Sequence, residues 1–250
     1  MTRPWPKLGG AGDFRPPMFS ARSRRKRGRW RRAIVATLAI LVALPATLTL
    51  IYRYVPPPIT PLMIIRLFEG EGIDKDWTPY SRISSNAGEA VIAAEDNRFC
   101  VHRGFDLEAI QEAVEDYQEG GDLRGASTIT MQTAKNLFLW PGRSWLRKGA
   151  EAYLTVFLEL FLPKERILEL YLNVAEWGPG VYGIEAASQK YFGKPAAALT
   201  RYQAALLAAV LPAPRDWSSN PADSYVAGRA SLIVRRIGQL GPLLDCARQG

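Results

Sequence analysis

Between Ala33 and Tyr52 the chain carries no charged residue. An apolar run of that length, wound as a helix, crosses a hydrocarbon core of roughly 30 Å. Pro45 falls inside it and predicts a kink rather than an end. The Pro56–Pro58 run and Pro61 then stop the helix and predict a stiff linker. From Asn86 onward apolar positions recur at spacings of three and four, with few strand signals. They predict helices over Asn86–Asn97, Leu107–Tyr117, Thr128–Asn136, Ser144–Leu162, Lys164–Val174, Gly183–Phe192, Thr200–Val210 and Ser224–Leu240. Ser144 is the expected N-cap of the fourth and Pro163 a first-turn residue of the fifth. Ile64, Ile65, Leu67 and Phe68 form an apolar patch beside the linker, expected to pack in the core rather than dip into a membrane interface. The pattern divides the chain into a basic tail (1–32), a spanning helix (33–53), a linker and membrane-proximal region (54–85) and a mainly α domain (86–250).

Charge changes the picture at one end only. The chain has a formal net charge of +8, and 11 of its 32 Lys and Arg lie in residues 1–32 with a single acidic residue. The remainder is close to balanced, so the folded body has no basic excess for a duplex and nucleic-acid binding is disfavoured. Eight basic residues from Arg22 to Arg32 precede the apolar run and Arg53 alone follows at once. Positive-inside bias places the N-terminus in the cytoplasm and the body outside. A cleaved signal peptide is the competing reading, but its apolar region is shorter, about 7–15 residues. Paired arginines also match twin-arginine export, a weak signal in so basic a segment. Cys100 and Cys246, far apart and facing an oxidising compartment, allow one disulfide without requiring it.

Candidate chemistry concentrates in four stretches. In the first, Ala94 to Asp106, acid, base, aromatic and glycine crowd the end of an apolar helix. Glu95 follows residues apolar enough to bury, which would raise its pKa toward general-base use. The plainer alternative makes Glu95 and Asp96 helix-end charges paired with Arg98. His102, the only histidine, is expected to brace the loop into Gly104 rather than to catalyse. In the second, Gly125 to Asn136, hydroxyls and helix-start amides with Lys135 suit an anion, against the alternative of an ordinary Ser/Thr cap. In the third, Arg147 and Glu151 are four apart on one helix face. They are either a surface ion pair or the edge of a cleft. The fourth runs from Lys164 through Glu176 to Gly183. Its glycine spacing imitates a dinucleotide fingerprint, but it follows a helix and contains Pro179, so tight turns are the expected use. Ser23-Arg24-Arg25-Lys26 matches an acyl-enzyme spacing by chance inside the basic tail.

Taken in order, with Tyr202 to Pro212 behind them, these stretches resemble the peptidoglycan glycosyltransferase family, in particular its monofunctional membrane-anchored biosynthetic members, over roughly residues 85–215. The resemblance implies a mainly α, lysozyme-like helical domain with a small membrane-proximal jaw, drawn from part of residues 58–85 and preceded by one transmembrane helix. It implies a reaction in which a lipid-linked growing glycan strand is transferred to lipid II, the lipid-linked disaccharide pentapeptide, forming a β-1,4 bond as undecaprenyl pyrophosphate leaves. By position, Glu95 matches the base for the acceptor 4-hydroxyl and Glu151 the second glutamate, associated with donor and leaving group. Ser127, Gln132, Lys135, Arg147 and Lys148 match substrate- or pyrophosphate-binding positions, and Asp96, Phe99, His102 and Asn136 match cleft-shaping ones. Met131 departs from the family, which often has glutamine there, and Gly149 adds about 1 kcal/mol of helix cost.

Inversion at an anomeric carbon needs a base on the face opposite the leaving group, and a departing pyrophosphate needs cations. No dedicated metal-ligand set is visible. No obligatory cofactor is therefore expected, although Mg2+ or Mn2+ at the pyrophosphate is compatible. The expected location is the bacterial inner membrane with the catalytic domain periplasmic. Other cell-wall synthesis proteins are candidate partners, since no transpeptidase segment precedes Gly250 and crosslinking would fall elsewhere. A lysozyme-like glycan-cleaving enzyme and an inactive scaffold are the rival readings. The basic residues Lys135, Arg147 and Lys148 argue against the first, and the presence of both glutamates against the second.

Overall fold

The computed structural model describes residues 21–121, 127–142, 144–217 and 224–248, with side chains from residue 29 onward. The basic tail before residue 21, the side chains of Ser23 to Lys26, and Gly125 and Ala126 of the second stretch lie outside the described residues. The chain divides into two units, Met1–Leu44 and Pro45–Gly250. Helix α1 (Ala21–Tyr52) runs through that division with Pro45 inside it. Its segment Arg29–Tyr52 contains an 18-residue window of mean hydropathy 2.5 and is long and apolar enough to cross a membrane.

In the second unit, α2 (Pro61–Phe68) is capped by Thr60, whose hydroxyl accepts from the Met63 amide. It buries only Met63. Ile64, Leu67 and Phe68 stay exposed, Phe68 by 87%, so the expectation that this patch packs in the core is wrong. An eight-residue helix lying on the body's surface can enclose only one narrow stripe.

The core is built on α3 (Ser85–Glu95), in which every residue from Ala87 to Ala93 is buried. Small side chains let neighbours come close. A Cβ on Gly88 would meet the Tyr80 hydroxyl at 2.8 Å, and Ala204, Ala205, Ala208 and Ala209 offer a similarly small surface from α9. After α3 come α4 (Leu107–Gln118), α5 (Ile129–Phe138), α6 (Trp145–Phe161), α7 (Lys164–Val174), α8 (Ile184–Phe192), α9 (Arg201–Val210) and α10 (Ser224–Leu240). Helix α9 packs between α3 and α10, while α5 packs against α6 and α7. Asp106, Thr128, Ser144 and Thr200 cap α4, α5, α6 and α9 through their side chains, the last in a reciprocal capping box with Gln203. Pro163 stands at the N-cap of α7, one position before its expected place.

A small sheet was not expected. Its strands β1 (Asp74–Lys75), β2 (Glu176–Gly178) and β3 (Val181–Tyr182) lie in the order β1-β3-β2, with β1 parallel and β2 antiparallel to β3. Strands of two or three residues are too short for alternation to register. The glycines of this stretch serve a turn, as predicted. Gly180 has φ +70°, and a Cβ there would collide with the Glu71 carbonyl. Cys100 and Cys246 form a disulfide, tying the loop after α3 to a 3-10 turn at Gly241–Ala247.

Candidate active site

Helix α3 ends at Glu95, and the chain leaves helical geometry at Asp96. Glu95 is thus carried at the tip of the most enclosed element. Its Oε2 accepts from Gln132 Nε2 at 2.8 Å, and Gln132 Oε1 accepts from the Tyr171 hydroxyl at 3.1 Å. Burial raises the Glu95 pKa above the usual carboxylate range. The Gln132 hydrogen bond and the charges of Arg229 and Lys135 pull it down, and Asp96 adds to the rise. A carboxylate so held is a competent proton acceptor. Burial also pushes the Tyr171 hydroxyl well up, so it stays protonated and able to donate.

Asp96 faces a different set of groups. It accepts from the Ile129 amide at 2.9 Å and meets His102 Nε2 at 2.8 Å. His102 Nδ1 accepts from the Gly104 amide at 3.1 Å, so the ring proton sits on Nε2 and points at Asp96. His102 therefore braces the loop, as expected for it. Thr128 donates to the Gly104 carbonyl at 2.7 Å and locks that loop to the start of α5. Arg98 pairs with Glu108 rather than with Glu95 or Asp96, which removes the helix-end ion-pair alternative. Phe99 is fully buried, lines no described cavity, and supports the region from beneath with Lys164 Nζ 4.5 Å from its ring centroid. His102 likewise acts from behind, through Asp96.

The start of α5 is not an open anion site, because two of its amides are already used. The Ile129 amide donates to Asp96 and the Met131 amide to Thr128. What remains polar there is Ser127, whose Oγ receives the Lys148 ammonium at 2.5 Å. Lys148 also reaches Glu151 Oε2 at 3.0 Å, and Arg147 pairs with Glu151 Oε1. Glu151 is 3% exposed, so its pairing with Arg147 is not a surface ion pair. Ser144 caps α6 through the Arg147 amide and so fixes where this trio begins.

Two cavities meet here. One, of about 970 Å³, is lined by Glu95, Asp96, Ser127, Gln132 and Arg229 among others. The other, of about 300 Å³, is lined by Lys135, Asn136, Arg147, Arg66, Glu176 and Trp140 among others, and Pro212 borders both. Lys135 lies within electrostatic range of both Glu95 and Glu151, and burial lowers its pKa. A carboxylate open to one cavity therefore stands beside a second whose wall carries cations. Among the described residues no group of three or more His, Cys, Asp or Glu is placed to hold a metal ion.

A family model described as transglycosylase matches residues 63–238. The chain belongs to the transglycosylase family. A biosynthetic peptidoglycan transglycosylase of Caulobacter vibrioides is 50% identical over 222 residues, covering 86% of this chain and 95% of that protein. One from Rhodospirillum centenum is 54% identical over 207 residues, covering 82% and 90%. A third, from Pseudomonas putida KT2440, is 53% identical over 216 residues, covering 84% and 92%. The family match takes in most of α2, the small sheet and most of α10, well beyond the roughly 85–215 carried by the sequence motifs. Sequence reasoning assigned no role to Tyr171, Glu176 or Arg229. Tyr171 and Glu176 lie inside the fourth stretch. Arg229 and Arg236, seven apart on α10, share one helix face, but the spacing does not say what that face meets.

Proposed function

We propose that the protein polymerises peptidoglycan glycan strands for cell wall biogenesis, taking lipid II as acceptor and a lipid-linked growing strand as donor. Glu95 takes the proton from the acceptor 4-hydroxyl as that oxygen bonds to the donor's anomeric carbon. The bond from that carbon to pyrophosphate breaks on the opposite face, so configuration inverts and undecaprenyl pyrophosphate leaves. Lys135, Arg147 and Lys148 hold its charge. Glu151 keeps Arg147 and Lys148 aimed, while Ser127 and Gln132 hold substrate and base in register.

The single observation that carries this reading is the pairing of a half-buried Glu95 in one cavity with Lys135 and Arg147 in another that shares Pro212 with it. A glycan hydrolase, which uses water, has no use for such a cationic chamber. A divalent cation, Mg2+ or Mn2+, enters this scheme only on the pyrophosphate oxygens, and no step depends on it. The segment Arg29–Tyr52 supports a single pass through the bacterial inner membrane, with the basic tail cytoplasmic and the second unit periplasmic.

The test is incubation of the purified full chain with labelled lipid II, and separately with finished glycan strands. Growth of lysozyme-digestible polymer is the expected result. Shortening of finished strands without polymer growth would instead establish cleavage.

A further inference from the structure

The Glu95 cavity has a wall that the scheme above leaves unused. It is formed by Trp217 and by Tyr225, Arg229 and Arg236 of α10. The rings of Trp217 and Tyr225 lie 5.0 Å apart at 59°, and the Arg229 guanidinium lies 6.0 Å from the Trp217 centroid. Three arginines line this cavity. Arg98 is paired with Glu108, and Arg236 donates to the Ala93 carbonyl at 2.9 Å. Arg229 has no ion pair among the described residues, and its Nε is buried without a hydrogen-bond partner there. A buried donor without a partner is costly, so such a group is suited to an incoming acceptor atom. Aromatic faces beside a guanidinium fork offer what a pyranose with an acyl group needs. The ring's apolar face meets the aromatics, and a carbonyl or carboxylate meets the fork.

Resting on the proposed polymerase reading, we infer that Arg229, backed by Trp217 and Tyr225, is an acceptor-binding residue: its guanidinium holds a carbonyl or carboxylate oxygen of the incoming lipid-linked disaccharide and so brings the 4-hydroxyl to Glu95. The oxygen belongs either to the acetamido group of the sugar or to a carboxylate of the attached peptide. Asp96, Arg98, Asp106, Glu108 and Glu112 also line the Glu95 cavity, and Asp106 is spent on capping α4. Asp96 is occupied by His102 and the Ile129 amide, and Arg98 by Glu108, while Glu112 is acidic and offers no donor.

The experiment measures initial rates with a preformed lipid-linked oligomer as donor and varied lipid II as acceptor, for the wild type, Arg229→Ala and Arg229→Lys. Loss of a hydrogen bond to a charged group predicts a rise of about 10- to 100-fold in acceptor KM for Arg229→Ala. Its kcat should change by no more than about 3-fold, the donor KM should be unaltered, and Arg229→Lys should recover part of the loss. The acid limb of the rate profile should also move to higher pH in Arg229→Ala and stay near wild type in Arg229→Lys, because the arginine's charge favours the ionised Glu95. Repeating the series with a lipid-linked disaccharide lacking peptide separates the two sources. A persisting effect assigns the sugar carbonyl, and a vanished effect assigns the peptide carboxylate. An acceptor KM within twofold of wild type in Arg229→Ala overturns the inference, as does an equal fall in lysine and alanine variants that follows a lowered melting temperature. Absence of polymer from the wild type would instead strike the polymerase reading itself.

Discussion

Gln132 donates to Glu95 across 2.8 Å while its other amide atom is held by Tyr171. Because the buried tyrosine hydroxyl can serve as donor, it fixes which end of the amide faces Glu95. The arrangement favours the ionised form and so offsets part of the rise that burial imposes on this carboxylate's pKa. Gln132→Met, close in volume but without a donor, is expected to slow initial transfer by about 10- to 100-fold, the worth of a charged hydrogen bond. It should also move the acid limb of the pH–rate profile upward. Tyr171→Phe leaves the donor in place and should do less of both. A profile unmoved in Gln132→Met would show that the contact does not tune the base.

Glu95→Gln separates catalysis from stability. Loss of a general base is expected to cost about 100- to 10,000-fold in rate. The stability effect has the opposite sign. Burial raises the folded pKa of Glu95 above the unfolded value near 4.5, so between the two the native state binds the extra proton. The favourable contribution of this group is present below about 4.5 and is lost as pH rises through the folded pKa. Above the folded pKa the wild type therefore carries a half-buried charge that glutamine removes while still accepting from Gln132. Glu95→Gln should melt higher than wild type at pH 7.5, with the gap closing near pH 4, in paired thermal scans. A lower melting temperature at pH 7.5 would contradict the sign.

Much of this architecture was legible in the chain, for reasons that differ by element. Helices from Ser85 to Leu240 could be placed within a few residues because each has an apolar stripe of several turns, and Ser144 and Thr200 announce their starts. The basic block before Ala33 and the uncharged run after it marked the candidate span. The small sheet escaped because β1 and β3 have two residues each, and their pairing joins positions more than a hundred residues apart. Ile64, Leu67 and Phe68 misled because hydrophobicity alone does not say which surface a short helix turns to the body. At the site, Glu95 and Gln132 were readable as residue types in dense stretches. That Asp96 would consume the Ile129 amide was not, since the two are 33 residues apart and meet only through the fold, whereas Thr128 capping Met131 is the local alternative already open in the sequence. Arg229 was hidden for the same reason, for nothing in α10 states that it faces α3.

The disulfide supplies a stability prediction. Cys100 and Cys246 are 146 residues apart and close most of the second unit into one loop. Beside this link the Ala247 carbonyl accepts from the Tyr80 hydroxyl at 2.7 Å. Reduction is expected to remove about 2–5 kcal/mol. At about 2–4 °C per kcal/mol for a domain this size, the melting temperature should fall by roughly 5–15 °C in dithiothreitol. A Cys100→Ala, Cys246→Ala double variant should start at the lower temperature and ignore the reductant. If the oxidised and reduced proteins melt together, the bridge contributes nothing measurable.

Glu151 is shared by two cations in unlike settings, and that difference predicts unlike costs. The side chains of Arg147, Lys148 and Glu151 are 11%, 40% and 4% exposed. Removing one member of a buried pair strands a charge and typically costs about 3–5 kcal/mol, whereas a solvent-screened pair is worth about 0–1 kcal/mol. Arg147→Ala and Glu151→Gln should therefore each destabilise by about 3–5 kcal/mol in urea unfolding, and Lys148→Ala by no more than about 1 kcal/mol. Activity should not follow that order. Lys148 touches both Ser127 and Glu151, so its loss withdraws a positive charge from the donor side without unfolding anything, and polymerisation should fall by about 10-fold or more. A double-mutant cycle on Arg147 and Glu151 should return a larger coupling than one on Lys148 and Glu151. Equal couplings, or a Lys148→Ala enzyme that is unstable yet fully active per folded molecule, would mean that the trio is a structural clamp and that the donor's charge is met elsewhere.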